Sequence, residues 1–189
     1  MFKGGLIVPS RLVFLMWLIF TVSEFYHLNL SVFGILPREF LGLIGIFTAP
    51  LVHGSAVHII SNTIPLLILG GTLYFFYEKI APKVFFSCYF ITNILVWIIG
   101  RKNLHIGASG LVYGLAAFLI FYGFFKKDMK SLIISVVILF FYAGMIYGIF
   151  PNQPGISWES HLAGAVVGAF TAYHLSNGKR KPAKSTDNY

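Results

Sequence analysis

Residues 109–125 read SGLVYGLAAFLIFYGFF and contain no charged side chain. A helix needs about 20 predominantly apolar residues to cross the roughly 30 Å hydrocarbon core of a bilayer. Similar blocks fill most of the chain, at residues 11–33, 57–77, 84–100, 131–150 and 158–176. Because 57% of the 189 residues are hydrophobic and only 11% are charged, a soluble domain is excluded. The sequence therefore predicts a membrane protein with six spans.

The need to satisfy backbone polar groups decides the secondary structure of these blocks. Lipid offers no hydrogen-bond partner, so a spanning segment must be a helix or a strand of a closed barrel. Barrel strands alternate apolar and polar residues, and these blocks do not. We therefore predict an all-α polytopic membrane protein in which residues 1–178 form a six-helix bundle. Residues 179–189 are predicted to be a basic, disordered cytoplasmic tail.

The positive charges lie mainly on one side of this predicted bundle. With the N-terminus in the cytoplasm, the cytoplasmic segments contain Lys3, Arg11, Lys79, Lys83, Lys126, Lys127, Lys130, Lys179, Arg180, Lys181 and Lys184. The external segments contain Arg38, Arg101 and Lys102. This asymmetry follows the positive-inside rule and predicts a multi-pass protein of the cell (plasma or inner) membrane with both termini cytoplasmic. The net charge of +8 then indicates contact with anionic lipid, not with nucleic acid.

Three groups of polar residues lie at the outer ends of the second, fourth and sixth spans. His58 and Asn62 are four residues apart and share one face of the second span. Ser109 opens the fourth span, and His161 lies near the start of the sixth. These three spans run in the same direction, so the polar groups lie at similar depth. Because polar groups at membrane depth are costly, their convergence indicates a functional site.

The residue types in these groups suit nucleophilic catalysis. A serine hydroxyl becomes an effective nucleophile when a base takes its proton, and a neutral histidine suits that role near pH 7. We therefore predict Ser109 as the nucleophile and His161 as its base. The free N–H groups at the start of a helix favour a developing oxyanion. His58 and Asn62 are side-chain donors that could complete an oxyanion hole.

Glycines are predicted to bring these helices together. Gly110 and Gly114 form a G-x-x-x-G face on the fourth span, and Gly164 and Gly168 form another on the sixth. Such faces allow two helices to approach closely. Packing through them would bring the serine within reach of the histidine.

Two neighbours of the serine have predicted supporting roles, and one acidic residue does not. Gly107 leaves space for close backbone approach beside the nucleophile, as Gly110 does on its other side. Tyr113 lies one turn below the serine, where its ring could pack on the imidazole. Glu159 is only two residues from His161, which on a helix points it elsewhere. We therefore predict a dyad, with assistance of His161 by Glu159 as the less favoured alternative.

The order of these motifs resembles the rhomboid family of intramembrane serine proteases. The resemblance rests on residues 47–62, from Phe47 through His53 to Asn62, on residues 107–113 (GASGLVY) and on residues 161–168 (HLAGAVVG). It covers most of the chain in one consistent order. It implies a bundle of six helices around a shorter, central fourth helix, with the serine in a water-filled cavity below the outer surface.

The resemblance also implies a role for each of these residues. Ser109 would be the nucleophile, and His161 the general base. His58, Asn62 and the backbone N–H of Ser109 would form the oxyanion hole. His53 would shape the loop before the second span. The residues by themselves also favour a structural role for His53 and for His105. The implied substrates are single-pass or other membrane proteins cut near the outer membrane boundary, and no cofactor or metal is implied.

The chain departs from the family at residues 37–39, which read Pro-Arg-Glu where many members have a Trp-Arg pair.

Other functions fit the sequence less well. A catalytically silent rhomboid-like protein that binds membrane clients is the main alternative, although such relatives typically lack the serine or the histidine. A small transporter should show internal repeats and paired broken helices, and we find neither. An intramembrane zinc protease would need an H-E-x-x-H pattern. Here His53 and His58 are five residues apart with no glutamate between them.

Overall fold

In the computed structural model, which describes residues 5–151 and 155–177, the chain folds into a bundle of helices. The six long helices are α1 (Ile7–Phe25), α2 (Ala56–Phe76), α3 (Ala81–Ile99), α4 (Ser109–Lys126), α5 (Met129–Ile149) and α6 (Trp158–Asn177). Across these described ranges no strand forms, and Ile35 pairs with His105 in an isolated bridge. The prediction of an all-α six-helix bundle is confirmed. The tail at residues 179–189 lies outside the described residues.

The outer surface of the bundle suits lipid. Helices α1 to α5 are each long and apolar enough to cross a membrane. Helix α6 has 20 residues but is less apolar, because it carries polar side chains such as Glu159 and Thr171. Large hydrophobic side chains such as Phe14 and Phe140 are 66% and 78% exposed. A surface of this kind would drive association in water but is ordinary against hydrocarbon. The chain is therefore a multi-pass membrane protein.

Helix α4 lies at the centre of the bundle. Of its 18 residues, 61% are buried inside the protein. In the apolar 18-residue window of each of the other four apolar helices, 33% or less are buried. Helix α4 has 18 residues and is the shortest of the six. Since its first residue is Ser109, the central position of α4 places that hydroxyl inside the bundle.

Helices α4 and α6 cross at backbone contact distance. A Cβ atom on Gly164 would overlap the carbonyl oxygen of Gly110, and one on Gly168 would overlap the carbonyl oxygen of Gly114. Only glycine hydrogens fit at these two points of α6, so the helix axes can approach closely. The structure thus brings together the two G-x-x-x-G faces.

The first span ends earlier than its hydrophobic block suggests. Helix α1 ends at Phe25, and residues Leu30–Phe33 form a separate 3₁₀ turn. His27 has a left-handed backbone with φ of 53°, which no continuing right-handed helix tolerates. The side chain of Asn29 then accepts a 3.1 Å hydrogen bond from the Ser31 N–H and starts the new turn. Our expected limit at residue 33 was wrong because residues 30–33, although mostly apolar, are not part of the helix.

The unusual segment at residues 37–39 is fastened to the end of α3. The guanidinium of Arg38 donates to the carbonyl oxygens of Ile98 (3.0 Å) and Gly100 (2.8 Å). The indole N–H of Trp97 donates to the Glu39 carbonyl at 3.0 Å. The two bonds from Arg38 satisfy carbonyls that the last turn of α3 leaves free. The Pro-Arg-Glu segment therefore stabilises the long connection between α1 and α2 by its own contacts.

Candidate active site

The backbone before Ser109 takes a conformation that requires glycine. Gly107 has a φ of +99°, and its N–H donates to the Ala49 carbonyl at 2.8 Å. A Cβ atom at this position would lie 2.5 Å from Nε2 of His58. Both the left-handed backbone and the lack of space exclude a larger residue. This turn packs the loop directly against α2 and directs the start of α4 toward the space beside His58.

His161 lies between two hydrogen-bond partners. Its Nε2 atom is 2.9 Å from Oγ of Ser109, and its Nδ1 atom is 2.9 Å from the carbonyl oxygen of Gly148. A carbonyl oxygen only accepts, so Nδ1 must carry the proton in the neutral ring. Nε2 is then the free acceptor that faces the serine hydroxyl. The arrangement is that of a serine beside an oriented base.

The plane of the imidazole is fixed by Tyr113. The two rings stack with centroids 4.1 Å apart and an interplanar angle of 6°. The Tyr113 hydroxyl donates to the Met145 carbonyl at 2.9 Å, which in turn fixes the phenol ring. Both carbonyls that hold this pair, those of Gly148 and Met145, belong to the 3₁₀ segment Ala143–Ile149 at the end of α5. The end of α5 therefore takes part in orienting the imidazole of His161.

A cavity of about 780 Å³ opens in front of the serine. Its lining includes Ser109, His161, His58 and Asn62. The four residues come from α4, α6 and α2, which meet at one end of the bundle. The structure thus brings together the three polar groups that the sequence placed at similar depth.

Local contacts at the start of α2 orient His58 and Asn62. The hydroxyl of Ser55 accepts a 3.2 Å bond from the His58 N–H and caps the helix. The amide nitrogen of Asn62 donates to the His58 carbonyl at 2.8 Å. An amide group has two N–H donors, so one remains for a partner in the cavity. Asn62 is only 3% exposed, so that donor is held in a site with little access to bulk water.

The ring of His53 packs against the ring of His58. The two rings meet edge-to-face, with centroids 4.9 Å apart. His53 lies in the loop before α2 and is 5% exposed. Burial, together with the neighbouring His58, lowers the pKa of His53 to about 4. His53 therefore stays neutral at physiological pH and acts as a packed ring.

The neutral state of His53 gives an expected pH dependence of stability. In the unfolded chain this residue would bind a proton near its ordinary pKa of 6.5, and in the folded chain only near 4. The contribution of neutral His53 to the free energy of unfolding is thus fully present above pH 6.5. It is lost as the pH falls toward 4, by up to about 3 kcal/mol. We expect the melting temperature in detergent to fall over this range in the wild type and to fall less in His53→Gln. Parallel curves for the two proteins would contradict the assignment.

The contacts of Arg101 and Ser157 at the rim of the site were not predicted. Arg101 forms an ion pair with Glu159 through its guanidinium, and its backbone N–H also donates to that carboxylate at 3.3 Å. His105 hydrogen-bonds the hydroxyl of Ser157 and, at 3.0 Å, the Arg101 carbonyl. These contacts tie the loop before α4 to the start of α6. Glu159 thus faces the loop and not the imidazole, and His105 has a structural setting.

Gly148 was also missed, for a physical reason. It contributes a backbone carbonyl, and a carbonyl is present at every position, so no residue type marks it. Its lack of a side chain is the one available signal. A Cβ atom there would overlap the Tyr113 hydroxyl and lie 3.1 Å from Nδ1 of His161.

Metal chemistry has no comparable support, since no group of three His, Cys, Asp or Glu side chains gathers anywhere in residues 5–151 and 155–177.

A family model and several known proteins match this chain over most of its length. The model of the rhomboid domain family matches residues 41–178. The chain belongs to the rhomboid family. An uncharacterized protein of Mycobacterium tuberculosis is 36% identical over 186 residues, which covers 89% of this chain and 74% of the relative. An uncharacterized protein of Mycobacterium leprae is 33% identical over 187 residues, covering 94% and 74%. The resemblance found in the sequence is therefore confirmed at the level of the family.

Proposed function

We propose that this rhomboid protein is a serine endopeptidase that cuts transmembrane segments of other membrane proteins. The cut would lie near the outer, non-cytoplasmic face of the membrane. The observation that carries this proposal is the 2.9 Å separation of Ser109 Oγ and His161 Nε2 at the wall of the cavity. Membership of the rhomboid family supports an intramembrane protease over other helical membrane proteins. A catalytic serine needs a base within about 2.6–3.2 Å, and this pair meets that requirement.

In the proposed acylation step, Ser109 Oγ attacks the carbonyl carbon of the scissile peptide. The hydroxyl proton passes to Nε2 of His161, and the C=O electron pair moves onto oxygen. The tetrahedral intermediate collapses, the C–N bond breaks, and the imidazolium gives its proton to the leaving amine. A water molecule then attacks the acyl-enzyme, with His161 again taking and returning the proton. The cavity of about 780 Å³ is large enough to admit that water.

The charged intermediates of this sequence have partners within reach. When His161 is protonated, its Nδ1–H stays bonded to the Gly148 carbonyl and its ring stays against the face of Tyr113. A cation beside an aromatic face is stabilised by about 0.5–2 kcal/mol. In this proposal a carbonyl dipole and a ring thus take the orienting role that a carboxylate has in a triad.

The oxyanion is assigned to three donors. We propose that the backbone N–H of Ser109, the side chain of His58 and the second N–H of Asn62 receive the negative charge. Their shared cavity supports this assignment. Fixed donors in a site of low water content are worth more than the same donors in water.

Removing one donor should slow catalysis without unfolding the protein. For Asn62→Ala we expect a loss of about 10²–10³ in kcat with little change in KM, since the oxyanion exists only in the transition state. Steady-state cleavage rates over a range of substrate mole fractions in the bilayer measure both constants. A loss confined to KM would contradict the role of Asn62.

The orientation in the membrane is proposed from charge. The concentration of Lys and Arg in the segments at one end of the helices supports cytoplasmic termini and a plasma (inner) membrane location. The cavity then opens toward the outer side, where the substrate helix would be cut.

The direct test is cleavage in a bilayer. Purified protein in liposomes should convert a tagged single-pass substrate into two fragments, and mass spectrometry of these should place the cut near one end of the transmembrane segment. Stable binding of the substrate without any cleavage would favour a silent, client-binding protein instead. An active preparation that cuts only loops far from the bilayer would contradict the intramembrane assignment.

A further inference from the structure

A second groove lies between α3 and α6, apart from the active-site cavity. Its volume is about 570 Å³, and it shares no lining residue with the cavity around Ser109. Lys83, near the start of α3, and His174, near the end of α6, both line it. Since the two helices run in opposite directions, both basic side chains lie at the same end of the groove.

The polarity of the groove changes along its length. One turn further along α3 from Lys83 lies Ser87, and one turn back along α6 from His174 lies Thr171. The side chains beyond these hydroxyls are apolar, with Ile91 two turns along α3 from the lysine. The polar side chains of the groove therefore change from basic to hydroxyl along its length, among apolar neighbours such as Leu175 and Phe86.

The apolar part of the groove faces outward. Phe86 and Phe170 line it and are 54% and 69% exposed, and Ile91 is 45% exposed. In a membrane-spanning bundle this exposure means contact with acyl chains. The backbone of α3 passes through a π-helical turn at Ser87–Ile91, beside the groove, and such turns occur frequently at functional sites.

The two basic side chains of the groove form no ion pair with an acidic residue in the described part of the chain. Among residues 5–151 and 155–177, the ion pairs of the protein involve Arg101, Lys102 and Lys126, and neither Lys83 nor His174 takes part in one. The Thr171 hydroxyl donates to the Val167 carbonyl at 2.7 Å and keeps its lone pairs for a donor. Lys83 and His174 are thus two basic groups beside the groove that are available to an anion.

We propose that this groove binds one anionic glycerophospholipid. The phosphate lies between Lys83 and His174, the glycerol and ester region lies at the depth of Ser87 and Thr171, and an acyl chain follows the apolar part past Ile91. Each component of the lipid meets side chains of matching chemistry in the right order. A basic pocket between transmembrane helices is an established way in which proteins bind acidic headgroups.

The test compares two lipids with identical acyl chains, phosphatidylglycerol and phosphatidylcholine. Native mass spectrometry of the purified full chain in detergent gives the affinity of each. A basic residue near a membrane surface contributes about fivefold in affinity for an anionic lipid. We therefore expect phosphatidylglycerol to bind at least about fivefold more tightly than phosphatidylcholine in the wild type.

The variants separate this groove from general charge attraction. Lys83→Gln combined with His174→Gln should remove the preference for phosphatidylglycerol, and Lys83→Arg should keep it. Lys79→Gln is the matched control, because Lys79 is exposed near the start of α3 but does not line the groove. The basic residues after Asn177 are present in every variant, so their effect cancels. An unchanged preference in the double variant, or an equal loss in Lys79→Gln, would overturn the lipid site.

Discussion

Ser109→Ala is expected to lower the rate of substrate cleavage by about a millionfold, the loss seen when a serine protease loses its nucleophile. The change removes one oxygen atom whose hydrogen-bond partner is Nε2 of His161. No other hydroxyl of the cavity has this partner among the described residues. Cleavage of a tagged single-pass substrate in liposomes measures the effect, and the melting temperature should stay close to that of the wild type.

Ser61→Ala is the matched control for this change. Ser61 also lines the cavity, but it is exposed and its hydroxyl donates to the His58 carbonyl at 2.8 Å. We expect Ser61→Ala to retain activity within about threefold, because surface substitutions of this kind cost little. Equal losses in the two variants would contradict the special role of Ser109. So would activity of Ser109→Ala within tenfold of the wild type.

Gly148→Ala is expected to lower kcat by at least about a thousandfold, although Gly148 has no side chain of its own. The new methyl group would overlap the Tyr113 hydroxyl and press on Nδ1 of His161. Misorienting the histidine of a serine protease triad costs about 10⁴ in kcat. Because His161 is held here by one carbonyl and one ring, displacing both should cost a similar amount.

Two further variants show whether this effect acts through the ring. Tyr113→Phe removes the hydroxyl that the methyl group would overlap, so Gly148→Ala should be much less harmful in that background. Gly144→Ala is the matched control in the same 3₁₀ segment, since a Cβ atom at Gly144 meets no atom within 4 Å. We expect it to leave kcat unchanged. If the losses of kcat in the two single variants simply add in the double variant, with no recovery of kcat, the role of Gly148 in positioning the base would be contradicted.

The sequence was sufficient to predict the bundle because a bilayer restricts what can cross it. Residues 109–125 had to form a helix once they were long and apolar enough. The depth of Ser109 and His161 followed from the direction of their helices. The glycines of α4 and α6 indicated where those helices could approach, and in the structure Gly164 and Gly168 lie against the carbonyls of Gly110 and Gly114.

Other features carried no readable signal in the sequence. The end of α1 depends on the left-handed backbone of His27, whereas hydrophobicity alone continues to residue 33. The Arg101–Glu159 ion pair joins residues 58 positions apart, and no local pattern links them. The partner of Nδ1 of His161 is a backbone carbonyl. Contacts of these kinds depend on the tertiary fold and require the structure.

The central claim is that His161 activates Ser109, and labelling with a fluorophosphonate probe tests it most directly. Such a probe reacts with an activated serine, and mass spectrometry of the digested protein identifies the modified residue. We predict an adduct on Ser109 in the wild type and none in His161→Ala, with the melting temperature confirming that the variant is folded. An adduct on a different serine, or labelling of His161→Ala as fast as the wild type, would contradict the claim.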